Sequence, residues 1–246
     1  MKYARDCKPS LSNEQTAQLL FEALPWIKNL TGKTVVIKYG GAAMVDERLR
    51  ADVMGDIVLL KIMGMKPVIV HGGGKDINAA LKRYDIPVEF RRGQRVTSED
   101  AMEVVRQVLV GKVNEQLVSA VNRHGNLAVG VSGADAGTIV ARQMAPELGR
   151  AGSIECINAD FLTSLIDNDY IPVVATVGVG EDGGFYNINA DVAAGHIAAA
   201  LGAHKVIFLT DVDGLYEDFS DKDSLISTSR WRRCRACSTA ARSIPA

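Results

Sequence analysis

The sequence predicts an α/β protein built on a mainly parallel sheet, with helices covering both faces. Three observations predict it. Short β-branched apolar runs alternate along the chain with longer amphipathic stretches, the pattern of strands buried on both sides and joined by crossover helices. Three of these runs end in glycine or in short polar residues, and ligands of such sheets gather beyond the carboxyl ends of the strands. The 246 residues, 47% hydrophobic and 23% charged, are enough for one large α/β domain or two smaller ones.

The elements follow in order. Ser12-Asn13-Glu14-Gln15 has the spacing of a capping box, and Leu19, Leu20, Ala23, Leu24 and Ile27 then recur on one helical face. Pro25 removes a backbone donor inside that pattern, so two short helices are expected before Gly32. Strands are expected at 34–38, 67–71, 127–131, 138–142, 171–177 and 205–210, from their β-branched content. Helical patterns lie between them at about 43–64, 76–84, 98–124, 158–168 and 189–202. From Ser229 the pattern stops: SRWRRCRACSTAARSIPA carries five arginines, no acidic residue and no apolar periodicity. Cys234 and Cys237 stand there as a single C-x-x-C pair with no second pair, which argues against a zinc or redox site.

Composition excludes several classes. A net charge of −1 gives no basic footprint for nucleic acid. No apolar run approaches the length of a membrane span, and MKYARDCKPSLSNEQ lacks a secretory core. Four scattered cysteines suit a reducing compartment, and a cytoplasmic protein is expected.

The chemistry lies at the strand ends. TVVIKYGGAAM carries Lys38 near the end of a strand, then Gly40-Gly41, then a helix. Bare N–H groups at a helix N-terminus with a nearby ammonium make an anion site, although a tight turn beside a solvated lysine has the same sequence. VIVHGGGKDIN places Gly72-Gly73-Gly74 between a strand and a helix. An oxyanion hole of hydrolase type would need a G-x-S-x-G elbow, and Gly130-Val131-Ser132-Gly133 lacks that spacing. A Walker loop also fails, because no Ser or Thr follows Lys75. VIFLTDVDGLY ends in Thr210-Asp211 and then Asp213-Gly214, which suits either a nucleotide or a plain turn. Gly178-x-Gly180-x-x-Gly183 matches a dinucleotide fingerprint in name only: an extended segment, Phe185–Asn187, follows it, so it reads as a hairpin turn. Arg91-Arg92-Gly93-Gln94-Arg95-Val96-Thr97 is a basic loop, either a carboxylate fork or a solvated charge cluster. Asn189 is an expected N-cap, and Asp191 then falls in a first helical turn, where it can orient a lysine.

In this order, K-Y-G-G-A-A-M, V-H-G-G-G, G-x-R-V-T, N-I-N-A-D and L-T-D-V-D-G-L-Y resemble the amino acid kinase family from about residue 10 to about 228. The resemblance implies an open three-layer α/β/α sandwich. It implies an N-terminal helical extension at 1–30, an N-terminal lobe at 31–185 for substrate binding and dimerisation, and a partial ATP lobe at 186–228. Members carrying the whole motif set phosphorylate the γ-carboxylate of N-acetyl-L-glutamate with ATP, in arginine biosynthesis; Mg²⁺ arrives with the nucleotide, so no metal cage of the protein's own is expected. By motif, Lys38 matches the lysine that neutralises the transferring phosphoryl group, with Gly40 and Gly41 beside it. Gly73 and Gly74 match backbone donors to the γ-carboxylate and phosphoryl oxygens. Arg95 and Asn187 match the holders of the substrate, and Asp191 the carboxylate that organises the lysines. Thr210, Asp211 and Asp213 fall at the ATP site. Other carboxyl or carbamoyl kinases of the fold, and a catalytically impaired amino-acid sensor, are the alternatives. The resemblance further implies a dimer, or a hexamer joined through the N-terminal helix, and L-arginine as a feedback inhibitor. Relatives continue with a G-G-M segment and a second lysine, whereas this sequence has neither after Lys222. The expectation is therefore a truncated or frame-altered C-terminal lobe, an aberrant or disordered tail at 229–246, and reduced catalysis.

Overall fold

The structure, a computed structural model, describes residues 11–44, 46–210 and 212–228. Asp211 and the tail from Ser229, with Cys234 and Cys237, lie outside the described residues.

Helix α1 (Asn13–Leu30) begins at the expected capping box: Ser12 Oγ accepts from the Gln15 N–H at 3.1 Å, and Gln15 Oε1 accepts from the Ser12 N–H at 2.9 Å. The expected break at Pro25 does not occur. None of the helix is buried, so water can satisfy the Phe21 carbonyl that Pro25 leaves without a donor, and one continuous helix survives.

Strand β1 (Thr34–Tyr39) follows, then a 3-10 turn (Gly41–Met44), α2 (Glu47–Ile62), β2 (Lys66–His71) and α3 (Gly74–Arg83). A two-residue ribbon, β3 (Phe90–Arg91) and β4 (Gln94–Arg95), leads to α4 (Glu99–Arg106). That helix widens into a π-helical segment (Gln107–Asn114) and closes as α5 (Glu115–Asn122), where the sequence predicts one uniform helix. Next come β5 (Ala128–Ser132), β6 (Ile139–Gln143), β7 (Gly152–Ile157), α6 (Asp160–Asp167), β8 (Ile171–Ala175), β9 (Val177–Val179), β10 (Phe185–Asn187), α7 (Ala190–Ala200) and β11 (Lys205–Phe208).

The central sheet has the order β11-β1-β2-β8-β5 with every pairing parallel. Side chains on its strands alternate between two cores, as the two-residue repeat requires. Val35, Ile37 and Ile69 pack with Met54, Leu81, Met102 and Leu109, under α2, α3 and the α4–α5 run. Val36, Val68 and Val70 pack with Leu162, Ile166 and Ile197, under α6 and α7. This is the α/β/α layering expected. A second sheet, β10-β9-β6-β7, adds a hairpin: β9 and β10 pair antiparallel, and Gly180 N–H donates to the Gly184 carbonyl at 2.8 Å across the turn. The apparent dinucleotide fingerprint is thus a hairpin.

The chain divides into two compact units between Leu209 and Thr210. In the second unit, β12 (Leu215–Tyr216) pairs antiparallel with β13 (Leu225–Ile226), and the Lys222 ammonium lies 3.9 Å from the Phe219 ring centre.

Candidate active site

The first parallel pair positions two glycine turns side by side. In the register of β1 and β2, Lys38 lies opposite Val70 and Tyr39 opposite His71, so the turns at Gly40-Gly41 and Gly72–Gly74 leave adjacent strands at the same level. They form one wall of a cleft of about 290 Å³ that also takes in Arg95, Asn187 and Asp191. Gly41 has φ +70, a left-handed conformation that favours glycine. A Cβ on Gly40 would lie 2.7 Å from Lys38 Nζ, because the lysine folds back over the turn. A Cβ on Gly73 would lie 2.8 Å from Leu109 Cδ2.

Helix α3 begins at Gly74, two residues earlier than predicted, with Gly73 as an N-cap that brings no side-chain acceptor. The first N–H groups of any helix lack intrahelical acceptors, and here the helix start lines the cleft. This is an anion-binding geometry.

Lys38 Nζ is 3.1 Å from Asp191 Oδ1. Asn189 caps α7, accepting from the N–H groups of Asp191 and Val192, so the cap orients the first turn and the turn carries the carboxylate to the lysine. The first-turn position expected for Asp191 thus puts its carboxylate beside Lys38.

Of the three arginines in the basic loop, Arg95 enters the cleft. Arg91 pairs with Glu89 at 2.6 Å on the surface. Arg95 is 7% exposed, its guanidinium stacks over Phe90 at 4.7 Å, and its Nη2 donates to the Gly74 carbonyl at 3.4 Å. Its Nη1 is buried without a hydrogen-bond partner. Burial lowers its pKa from the ordinary arginine value. A buried guanidinium N–H with no acceptor is costly in a folded chain, and a guanidinium fork is suited to pairing with a carboxylate. Asn187 reaches the same space from the end of β10, its Nδ2 donating to Thr97 Oγ1 at 3.3 Å.

Lys38, Gly40, Gly41, Gly73, Gly74, Arg95, Asn187 and Asp191 thus line one cleft. Thr210 and Asp213 belong to the second unit, where Asp213 accepts from Tyr216 Oη at 3.1 Å; Asp211 lies outside the described residues. Sequence reasoning missed Phe90 and Thr97 as supports of the site. The signal for Phe90 was weak: one aromatic beside the basic loop. It also assigned nothing to His71, which is fully buried and whose pKa burial lowers to about 4, so the imidazole is neutral.

Comparison with known proteins gives a consistent result. A family model described as "Amino acid kinase family" matches residues 33–241. The acetylglutamate kinase of Streptomyces avermitilis is 52% identical over 219 residues, covering 86% of this chain and 72% of that protein. The acetylglutamate kinase of Corynebacterium diphtheriae is 47% identical over 233 residues, covering 92% of this chain and 75% of that protein. Among solved structures, smu.665 from Streptococcus mutans UA159 superposes with a TM-score of 0.69 at 32% identity, covering 75% of each chain.

Proposed function

This chain belongs to the amino acid kinase family, and from that premise we propose that it transfers the γ-phosphoryl group of ATP to the γ-carboxylate of N-acetyl-L-glutamate. The product is N-acetyl-L-glutamyl 5-phosphate, in arginine biosynthesis. Relatives bearing the name acetylglutamate kinase support the substrate. The observation that carries the reading to this cleft is the unpartnered, buried Arg95 Nη1 beside two glycine turns and an ammonium.

The chemistry asks little of the protein except position and charge. A carboxylate is ionised at neutral pH and attacks without a general base. Two anions must be held in line while negative charge spreads over the phosphoryl oxygens. Arg95 takes the α-carboxylate in a fork and Asn187 donates to the body of the substrate. Gly73 and Gly74 turn N–H groups toward the γ-carboxylate and the phosphoryl group. Gly40 and Gly41 keep the facing turn free of side chains, and Lys38, steadied by Asp191, compensates charge during transfer. ATP brings Mg²⁺ as part of the substrate, and Thr210, Asp211 and Asp213 contact the nucleotide. In this reading residues 31–185 form the acetylglutamate lobe, to which Asn187 adds a contact from just beyond it, and 186–228 form the partial ATP lobe.

The protein works in the cytoplasm. Among the described residues no helix is long and apolar enough to cross a membrane. It assembles as a homo-oligomer through α1, whose Leu19, Leu20, Phe21, Leu24 and Trp26 are exposed, and L-arginine is its feedback inhibitor. Trapping the acyl phosphate with hydroxylamine tests the activity. N-acetyl-L-glutamate should give a hydroxamate far faster than L-glutamate or L-aspartate, and equal or inverted rates would refute the assignment.

A further inference from the structure

The HGGG stretch contains a histidine that the transfer chemistry does not use. His71 ends β2, is fully buried, and has both ring nitrogens engaged: Nδ1 lies 2.9 Å from the Gly72 carbonyl oxygen and Nε2 lies 3.0 Å from Asn114 Nδ2. The proton can be assigned by following the acceptors. The Val173 carbonyl can only accept, so the Asn114 atom 2.8 Å from it is the amide nitrogen. That nitrogen also faces Nε2, which must therefore accept. A neutral imidazole has one N–H, which is then on Nδ1 and donates to the Gly72 carbonyl. The lowering of the His71 pKa to about 4 by burial agrees with a single proton.

Each member of this chain of bonds has a structural cause. Asn114 is the last residue of the π-helical segment. A Cβ on Gly130 of β5 would lie 2.0 Å from Asn114 Oδ1, so glycine alone leaves room for the amide. The consequence falls on the next peptide. In a trans peptide the C=O and N–H point in opposite directions. Fixing the Gly72 carbonyl inward on His71 therefore aims the Gly73 N–H outward, and Gly73 lines the cleft.

We propose that His71, held as its Nδ1–H tautomer by Asn114, is a positioning residue that aims the Gly72–Gly74 turn at the transferring phosphoryl group. The proposal rests on the kinase reading for the identity of that group.

The test uses the full chain and two substitutions that separate aim from bulk. Asparagine carries its amide nitrogen where imidazole has Nδ1, and glutamine where it has Nε2, while glutamine is closer to histidine in size. His71→Asn should keep kcat within about threefold of wild type. His71→Gln should lower kcat on the order of tenfold to a hundredfold, the cost of a misplaced donor, with the acetylglutamate KM within about threefold. A residue that merely fills space gives the reverse order, so glutamine equal to or better than asparagine overturns the proposal. A second arm needs no turnover: ¹⁵N NMR of the imidazole in the wild-type chain should show the proton on Nδ1 from about pH 6 to about pH 8. Asn114→Asp, whose carboxylate can only accept, should place a proton on Nε2. A wild-type ring protonated at Nε2 overturns the proposal even if the variants fold poorly. A wild-type chain that forms no acyl phosphate instead refutes the kinase reading, and the NMR arm then decides the His71 assignment alone.

Discussion

Replacing Arg95 by alanine is the perturbation whose outcome the structure fixes most closely. The side chain is 7% exposed, so almost all of its guanidinium interaction is made with protein or with bound ligand. Nη2 already serves the Gly74 carbonyl, and Nη1 has no partner. In the proposed reading a carboxylate bound in the cleft takes a charge-assisted hydrogen bond from the guanidinium, with additional attraction to its charge. Such bonds contribute about 1.5–3 kcal/mol each, so Arg95→Ala should cost about 3 kcal/mol of acetylglutamate binding, roughly a hundredfold in Kd. Both ground state and transition state use that contact, so KM should rise by a similar factor while kcat falls less than about fivefold. Arg95→Lys keeps the charge and loses the fork, and should fall between the two at roughly tenfold. Calorimetry with acetylglutamate alone gives Kd, and steady-state kinetics gives the split. A large loss of kcat with KM and Kd unchanged would refute the assignment of Arg95 to substrate binding.

Lys38→Ala should act in the opposite sense, lowering kcat roughly a hundredfold or more with little change in ATP affinity, because its charge matters most as phosphoryl charge redistributes; near wild-type turnover contradicts this. Stability should fall on acidification through His71: its pKa is lowered from 6.5 to about 4, so below about 6.5 the unfolded chain takes up a proton that the folded chain refuses. The loss grows to about 3 kcal/mol and levels off below about pH 4. Urea titrations against pH should show that part of the slope missing in His71→Asn, and identical slopes would contradict it. Deleting residues 1–24 should lower the oligomeric mass by light scattering and leave a folded kinase core, since α1 exposes Phe21 at 75% and touches its own core only through Leu30 at its end, outside the deletion; unchanged mass contradicts its role between copies.

What was legible in the sequence was local. The capping box at Ser12, the cap at Asn189, most of the apolar strand runs and the hairpin at Gly180–Gly184 depend on neighbours a few residues away and are found where expected; the run expected as one strand at 171–177 is instead divided at Thr176 between β8 and β9, in two different sheets. Asp191 was legible for the same reason: a cap fixes a first turn, and a first turn fixes a side chain. Continuity through Pro25 was not, because it depends on whether solvent reaches the Phe21 carbonyl. The widening at Gln107–Asn114 was not, because the periodicities of α- and π-helix are too close to separate over eight residues. The edge strand Gly152–Ile157 was missed because its apolar run is interrupted by Ser153 and Glu155. Arg95 could not be told from Arg91 by composition; a two-residue ribbon decides which arginine turns inward. The partner of His71 lies 43 residues away, and no short-range pattern announces it.

In the proposed reaction this cleft moves a phosphoryl group from ATP to a carboxylate. That transfer is tested most directly by ³¹P NMR of the full 246-residue chain with Mg·ATP and N-acetyl-L-glutamate. The γ-phosphate signal should decline as ADP and an acyl-phosphate resonance grow in equal amount, with the acetylglutamate required and the transfer suppressed in Lys38→Ala. Loss of γ-phosphate to inorganic phosphate alone, or acyl phosphate formed equally well by Lys38→Ala, would contradict the account.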